Sequence, residues 1–169
     1  MGREIRRVPE GWEHPRYTKD NAVRRWGGTT SEGEYRPLYD SDFHSAMSEW
    51  LTSWGACDTP EKRTAYLADE GGPPSPEYHR PEWSDEERTH FQMYETVSEG
   101  TPLTPPMPSL DALAEWLSTN CDFWDKGPLT REQAKAFCRS GWTPSFVFTP
   151  ETGLLSGIEA IAKLETREP

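Results

Sequence analysis

Few side chains in this chain are of types and spacings that do chemistry, and they are scattered. Asp40, Asp42 and His44 stand in one DSDFH run, so two carboxylates and an imidazole lie close enough to ligate a divalent cation or share a proton. The same run reads as a helix start, with acids at the positive end of the helix dipole. A metal site needs a further ligand at set spacing, and none follows. Cys121 and Cys138 with His79 or His90 lack the paired CxxC or HxxxH ligands of zinc sites. Cys57, in a GACD run, has no nucleophile signature around it, so a small buried thiol is the expected role. Gly27-Gly28-Thr29-Thr30 offers backbone amides to a phosphate, but no Lys-Ser/Thr follows it and a flexible loop is expected. His79, Arg80, Glu82, Glu87, Arg88 and His90 gather around a proline-rich loop. They either line a cleft or tie the loop down as a polar network, and the network is the favoured reading. No GxSxG, HExxH or dinucleotide fingerprint occurs, and no catalytic residue, metal or cofactor is assigned.

Charge narrows the choice of partner. The chain carries a formal net charge of -11. Residues 1–25 hold seven basic and four acidic side chains, a net of +3, and the remainder holds 11 basic and 25 acidic, a net of -14. An acidic body repels nucleic acid and membrane surfaces and suits a basic protein surface, although surface charge most often serves only solubility. Within the basic arm, Arg3, Arg6, Arg7, Arg24 and Arg25 lie near Trp12, Tyr17 and Trp26, the mixture that stacks single-stranded bases. The acidic body weighs against that use, and pairing of these arginines with the protein's own carboxylates is expected instead.

The elements that must position these groups follow from length, composition and pattern. At 169 residues the chain is sized for a single compact domain, 1–169, with 1–33 as a basic arm and loop and 34–169 as the acidic body. Only 33% of residues are hydrophobic, but 8 Trp and 12% aromatics argue against disorder and for a small aromatic core. Sixteen Pro and 13 Gly predict long loops. The three cysteines are odd in number and widely spaced, which fits reduced thiols and a cytoplasmic protein. No stretch is apolar enough to span a bilayer, and the first 15 residues lack the apolar run of a secretion signal.

Glu4–Pro9 reads as a short edge strand. A helix over about 41–54 starts at Asp40 or Ser41, with Phe43, Met47, Trp50, Leu51 and Trp54 on one face, and a shorter one covers 60–68. Ser84 and Glu87 make a capping box, which predicts a helix with Phe91 and Tyr94 inward, ending near 95–100. Ser109 caps a helix to about Thr119 with Leu110, Leu113, Trp116 and Leu117 facing inward. Thr130 and Gln133 cap another to Ser140, closed by Gly141. Phe146–Phe148 and Leu154-Leu155 form a hairpin, and 158–164 is either its continuation or a last helix. The fold class is therefore α+β: four or five short helices packed on a small antiparallel sheet, which the N-terminal strand completes beside the hairpin.

The blocks REIRRVP (3–9) and WEHP (12–15) resemble the opening of a family of uncharacterised bacteriophage and prophage proteins. Similar blocks recur at Tyr35-Arg36-Pro37-Leu38, GGPPSPEY with Arg80-Pro81-Glu82-Trp83, residues 87–102, 141–145 and 156–159. The resemblance implies phage origin and a bacterial host, and it carries over no activity and no functional residue. The expected function is that of a phage accessory protein acting by protein–protein contact with a host or phage complex, for example an anti-defence inhibitor of a CRISPR effector. A minor virion or assembly component and a nucleotide-binding sponge or small enzyme are the alternatives. Tyr78, Trp83 and Trp142, aromatic residues in proline-rich surroundings, are the expected partner-binding residues.

Overall fold

The computed structural model describes residues 2–24, 28–97, 100–120, 128–150 and 153–165. Its elements in chain order are β1 (Gly2–Val8), β2 (Tyr39–Asp42), α1 (Phe43–Gly55), α2 (Pro60–Glu70), a single 3-10 turn (Pro76–Tyr78), β3 (His79–Arg80), β4 (His90–Glu95), β5 (Thr101–Pro102), α3 (Leu110–Asn120), α4 (Arg131–Ser140), β6 (Trp142–Pro144), β7 (Phe146–Thr149), β8 (Gly153–Ser156) and α5 (Gly157–Glu165). They group into two compact units, Met1–Arg36 with Trp83–Pro169, and Pro37–Glu82. Five helices with a small antiparallel sheet make the α+β fold that the sequence pattern predicts.

In the larger unit the sheet has the order β5-β4-β1-β6. β1 is an interior strand, not an edge: it pairs antiparallel with β4 from Arg3↔Glu95 to Val8↔His90, and with β6 through Arg3↔Thr143. Its neighbour is not the hairpin either, because β7 and β8 form a separate two-stranded sheet. Side chains alternate across a strand, so Ile5 and Met93, opposite one another, face one side while Glu4, Arg6, Gln92 and Tyr94 face the other. On the Met93 side the core gathers Leu113, Ala114 and Leu117 of α3, Ala134 and Phe137 of α4, and Ile158 of α5. Leu110, expected to face inward, lies at the exposed edge of α3.

The caps explain why three of these helices start where they do. Ser109 accepts from the Ala112 amide at 3.1 Å to open α3. Thr130 and Gln133 exchange both bonds of a capping box at 2.9 and 3.2 Å, and Gly141, at φ 72°, ends α4 in the left-handed conformation. Ser156 and Glu159 exchange the same pair of bonds at 2.8 and 3.3 Å, and this settles 158–164 as helix α5. Ser84 and Glu87 also exchange bonds, at 2.7 and 3.3 Å, but there the box closes a single turn. The predicted helix over Phe91 and Tyr94 is instead the strand β4, because pairing with β1 along six positions satisfies its backbone.

α5 packs tightly against the end of β6. A methyl group on Gly157 would lie 1.9 Å from the Pro144 carbonyl oxygen and 2.1 Å from the Thr143 hydroxyl. Gly→Ala in a helix normally stabilises by about 1 kcal/mol. Here the sign reverses: Gly157→Ala is expected to destabilise by about 2 kcal/mol, since backbone must move to admit the methyl. Urea unfolding of the variant checks this, and a gain in stability would show that α5 stands further from β6.

The smaller unit rests on aromatic packing. Trp50 and Trp54 of α1 stack 5.3 Å apart at 12°, and Tyr66 of α2 closes on both at 6.1 and 6.2 Å. No residue of α1 is fully buried, and Leu51, on its expected inward face, is exposed. Asp42 caps α1, two residues past Asp40 and one past Ser41, the expected caps, and Thr59 caps α2 ahead of Pro60.

Candidate functional site

The polar face of the main sheet is built as a unit. Arg6 donates through Nε to Glu4 at 2.7 Å, and its guanidinium lies 4.4 Å from the centre of the Tyr94 ring. The Tyr94 hydroxyl donates to Gln92 Oε1 at 2.9 Å, Gln92 Nε2 donates to the Thr104 carbonyl at 2.7 Å, and the Thr104 hydroxyl accepts from the Met93 amide at 3.0 Å. These bonds lock the segment after β5 to β4. The Trp12–Arg16 segment covers the same face. Trp12 Nε1 donates to the Tyr94 hydroxyl at 3.1 Å while its ring meets Trp83 edge-on at 4.7 Å. Arg16 lies 3.7 Å over the Tyr35 ring.

Beside them runs a cleft of about 870 Å³, lined among others by Trp12, Arg16, Tyr35, Pro102, Leu103 and Pro105. His14 lines it and is only 7% exposed. Its Nε2 lies 2.7 Å from the Arg36 carbonyl, which can only accept, so Nε2 carries a proton. Its Nδ1 lies 3.3 Å from the Tyr94 hydroxyl. Burial lowers the His14 pKa to about 4; the carbonyl bond opposes this, and Arg6, Arg36 and Arg16 lower it further. His14 is therefore neutral at pH 7, inside a cationic surround.

The sequence-derived candidates divide differently. Arg3 and Arg6 are 1% and 8% exposed, so neither guanidinium is presented to a nucleic acid. Both sit in β1, inside the sheet, and not on an exposed arm. Arg7 is exposed but donates to the Arg88 and Asp85 carbonyls, both at 2.9 Å, and Arg24 is exposed in a loop bridged to Thr30. Arg25 and Trp26 lie outside the described residues, as does Cys121. Trp83 is half-buried against Trp12, Tyr78 is half-buried in the smaller unit, and Trp142 is 49% exposed on β6.

The six-residue polar cluster splits between the units. His79 contacts Ser41, Arg80 donates to the Asp40 carbonyl and pairs with its carboxylate at 3.7 Å, and His44 meets Glu82 at 3.4 Å, all within the smaller unit. Glu87 bonds Ser84 and Arg88 pairs with Asp85 in the larger one. Asp42, from the DSDFH run, accepts from the Ser45 amide at 2.8 Å and hydroxyl at 3.0 Å; these bonds hold its carboxyl below the usual range as a helix cap. Cys138 is buried in α4, and burial, with Asp111 beside it, pushes its thiol up to about 11. It is an inert core residue at neutral pH.

One surface feature went unread in the sequence. On the β7–β8 hairpin Phe146 and Phe148 share a face, and register places Leu154 opposite Phe148 on that same face. They are 45%, 71% and 65% exposed. The alternation F-V-F was the signal: Val147 and Leu155, opposite one another on the other face, are half-buried. Among the described residues no helix is long and apolar enough to cross a membrane. Comparison of the chain with protein-family models, with curated proteins and with solved structures gives no match.

Proposed function

We propose that the chain is a phage-encoded accessory protein that acts by docking onto a basic protein surface in the bacterial host, of the kind offered by a defence complex such as a CRISPR effector. The observation that carries the reading is the exposed face of Phe146, Phe148 and Leu154. Three large apolar side chains on one small sheet face make the centre of an interface, and a partner that covers them removes them from water. The partner's sign follows from charge. With -14 on residues 26–169, a positive surface is attracted and an acidic one repelled. The phage-like blocks support a bacterial setting, and the burial of Arg3 and Arg6 supports protein in preference to nucleic acid as the partner.

The test is a pull-down from host lysate at physiological salt, with the full chain and with a Phe148→Ser/Leu154→Ser variant whose melting curve matches it. A specific set of proteins is expected with the wild type. Its recovery should fall at least about tenfold with the variant and fall as salt rises. No enriched protein, or the same recovery with both chains, would overturn the reading.

A further inference from the structure

The cleft shares no lining residue with the docking face of the hairpin, so a role for it is independent of that reading. Its volume of about 870 Å³ is within the roughly 300–1,000 Å³ of small-molecule sites. Three of its lining side chains, His14, Gln92 and Thr104, are polar and buried, and their hydrogen bonds do not balance. Gln92 Nε2 donates to the Thr104 carbonyl at 2.7 Å, which leaves Oε1 as an acceptor. His14 Nε2 donates to the Arg36 carbonyl, so the neutral ring has only an acceptor at Nδ1. Both acceptors meet the same Tyr94 hydroxyl, at 2.9 and 3.3 Å, and that hydroxyl has one hydrogen to give. One buried acceptor is always short of a donor, and whichever it is belongs to a side chain that lines the cleft. Thr104 has the opposite mismatch. Its hydroxyl oxygen accepts from the Met93 amide, while its hydroxyl hydrogen has no acceptor among the described residues.

The charges of the lining cancel. Besides neutral His14, its charged residues are Glu13 and Arg16, one of each sign. Glu13 is exposed and has no ion pair or hydrogen bond among the described residues, so its carboxylate is open to a hydroxyl group. Arg16 donates from Nη1 to the Gly33 carbonyl at 2.7 Å, and its other N–H groups have no acceptor among the described residues. Most of the remaining lining is apolar, including Trp12, Tyr35, Leu103 and Pro105.

A ligand matched to this surface has no net charge, offers both donors and acceptors, and has C–H surface to bury. Hydroxyl groups set around an aliphatic ring meet all three conditions, because each hydroxyl both donates and accepts. We propose that the cleft binds an uncharged saccharide of one or two rings. One of its hydroxyls supplies the hydrogen for which Gln92 and His14 compete, and another accepts the Thr104 hydrogen. Glu13 and Arg16 bond the outer hydroxyls, and the apolar lining takes the C–H faces.

The test is an amide-shift titration of the full chain by two-dimensional NMR, with glucose, galactose, N-acetylglucosamine, maltose and lactose as probes. At least one is expected to give saturable shifts centred on the amides of residues 12–18, 92 and 103–104. Glucose 6-phosphate should bind no more tightly than glucose, and an increase of about tenfold in salt should change the affinity less than about twofold. Glu13→Ala, an exposed change, should weaken binding of the responding saccharide about tenfold by removing a charged hydrogen bond, and Lys135→Gln, exposed on α4, should leave it unchanged. Absence of saturable shifts with every saccharide at tens of millimolar would mean that water alone supplies the missing donor. A response to glucose 6-phosphate or adenosine stronger than to every saccharide would mean a site for an anion or a base. Either result overturns the proposal, as does unchanged affinity in Glu13→Ala.

Discussion

Phe137→Ala is expected to lower the unfolding free energy by about 4 kcal/mol. Phe137 is fully buried on α4, the helix that packs on both α3 and α5. It shares one core cluster with Leu113 and Leu117 of α3, Met93 of β4 and Ile158 of α5. Three elements, each held by its own cap or ladder, cannot all move inward, so the cavity stays open and its walls lose their contacts. A domain of this size has only about 5–15 kcal/mol in total, so the variant sits near the edge of folding. Phe137→Leu, which keeps most of the volume, is expected to lose only about 1 kcal/mol. Urea titration of both checks the pair. Losses of equal size would mean that shape, not volume, is what the site demands.

The second large effect is acid sensitivity at His14. Its pKa is about 4 in the folded chain and 6.5 in the unfolded one. Between those values the unfolded chain binds a proton that the folded chain refuses, so stability falls as pH drops from 6.5 toward 4. The full span amounts to about 3 kcal/mol, and above pH 6.5 the group contributes no pH dependence. Carboxylates also titrate near the lower end, so His14→Gln is the reference, its amide donating to the Arg36 carbonyl in place of the imidazole. The advantage of wild type over the variant is expected to shrink by about 2 kcal/mol between pH 7 and pH 5. A constant advantage would show that the imidazole titrates as it does in a free peptide.

What the sequence reveals and what it hides follow the range of the forces involved. The Thr130–Gln133 box and Gly141 bracket α4 within a dozen residues, and both were legible because a cap is a local bond. Ser84–Glu87 is the instructive counterpart. The box forms as the pattern says, yet the helix it announces does not, because pairing with β1, more than 80 residues earlier in the chain, claims the next segment. In β4 the Phe91 and Met93 face meets helices while the Gln92 and Tyr94 face meets a covering loop. Neither side is left polar by solvent, so no alternation marks the strand. The cleft was hidden for the same reason. Trp12, His14, Tyr35, Gln92 and Thr104 come from segments up to 92 residues apart, and nothing in the spacing of WEHP or QMY announces that they meet. The exposed hairpin face was within reach, since its alternation needs only five residues.

The interior place of β1 has a consequence for how the protein is made. Gly2–Val8 leaves the ribosome ahead of its partners, His90–Glu95 and Trp142–Pro144. Until those emerge, the first strand has nothing to pair with and must wait as an extended, arginine-bearing thread whose charge keeps it soluble. Pro37–Glu82, a compact unit by itself, is free to fold during that delay. The main sheet then closes once Trp142–Pro144 arrives to pair with Gly2–Val8.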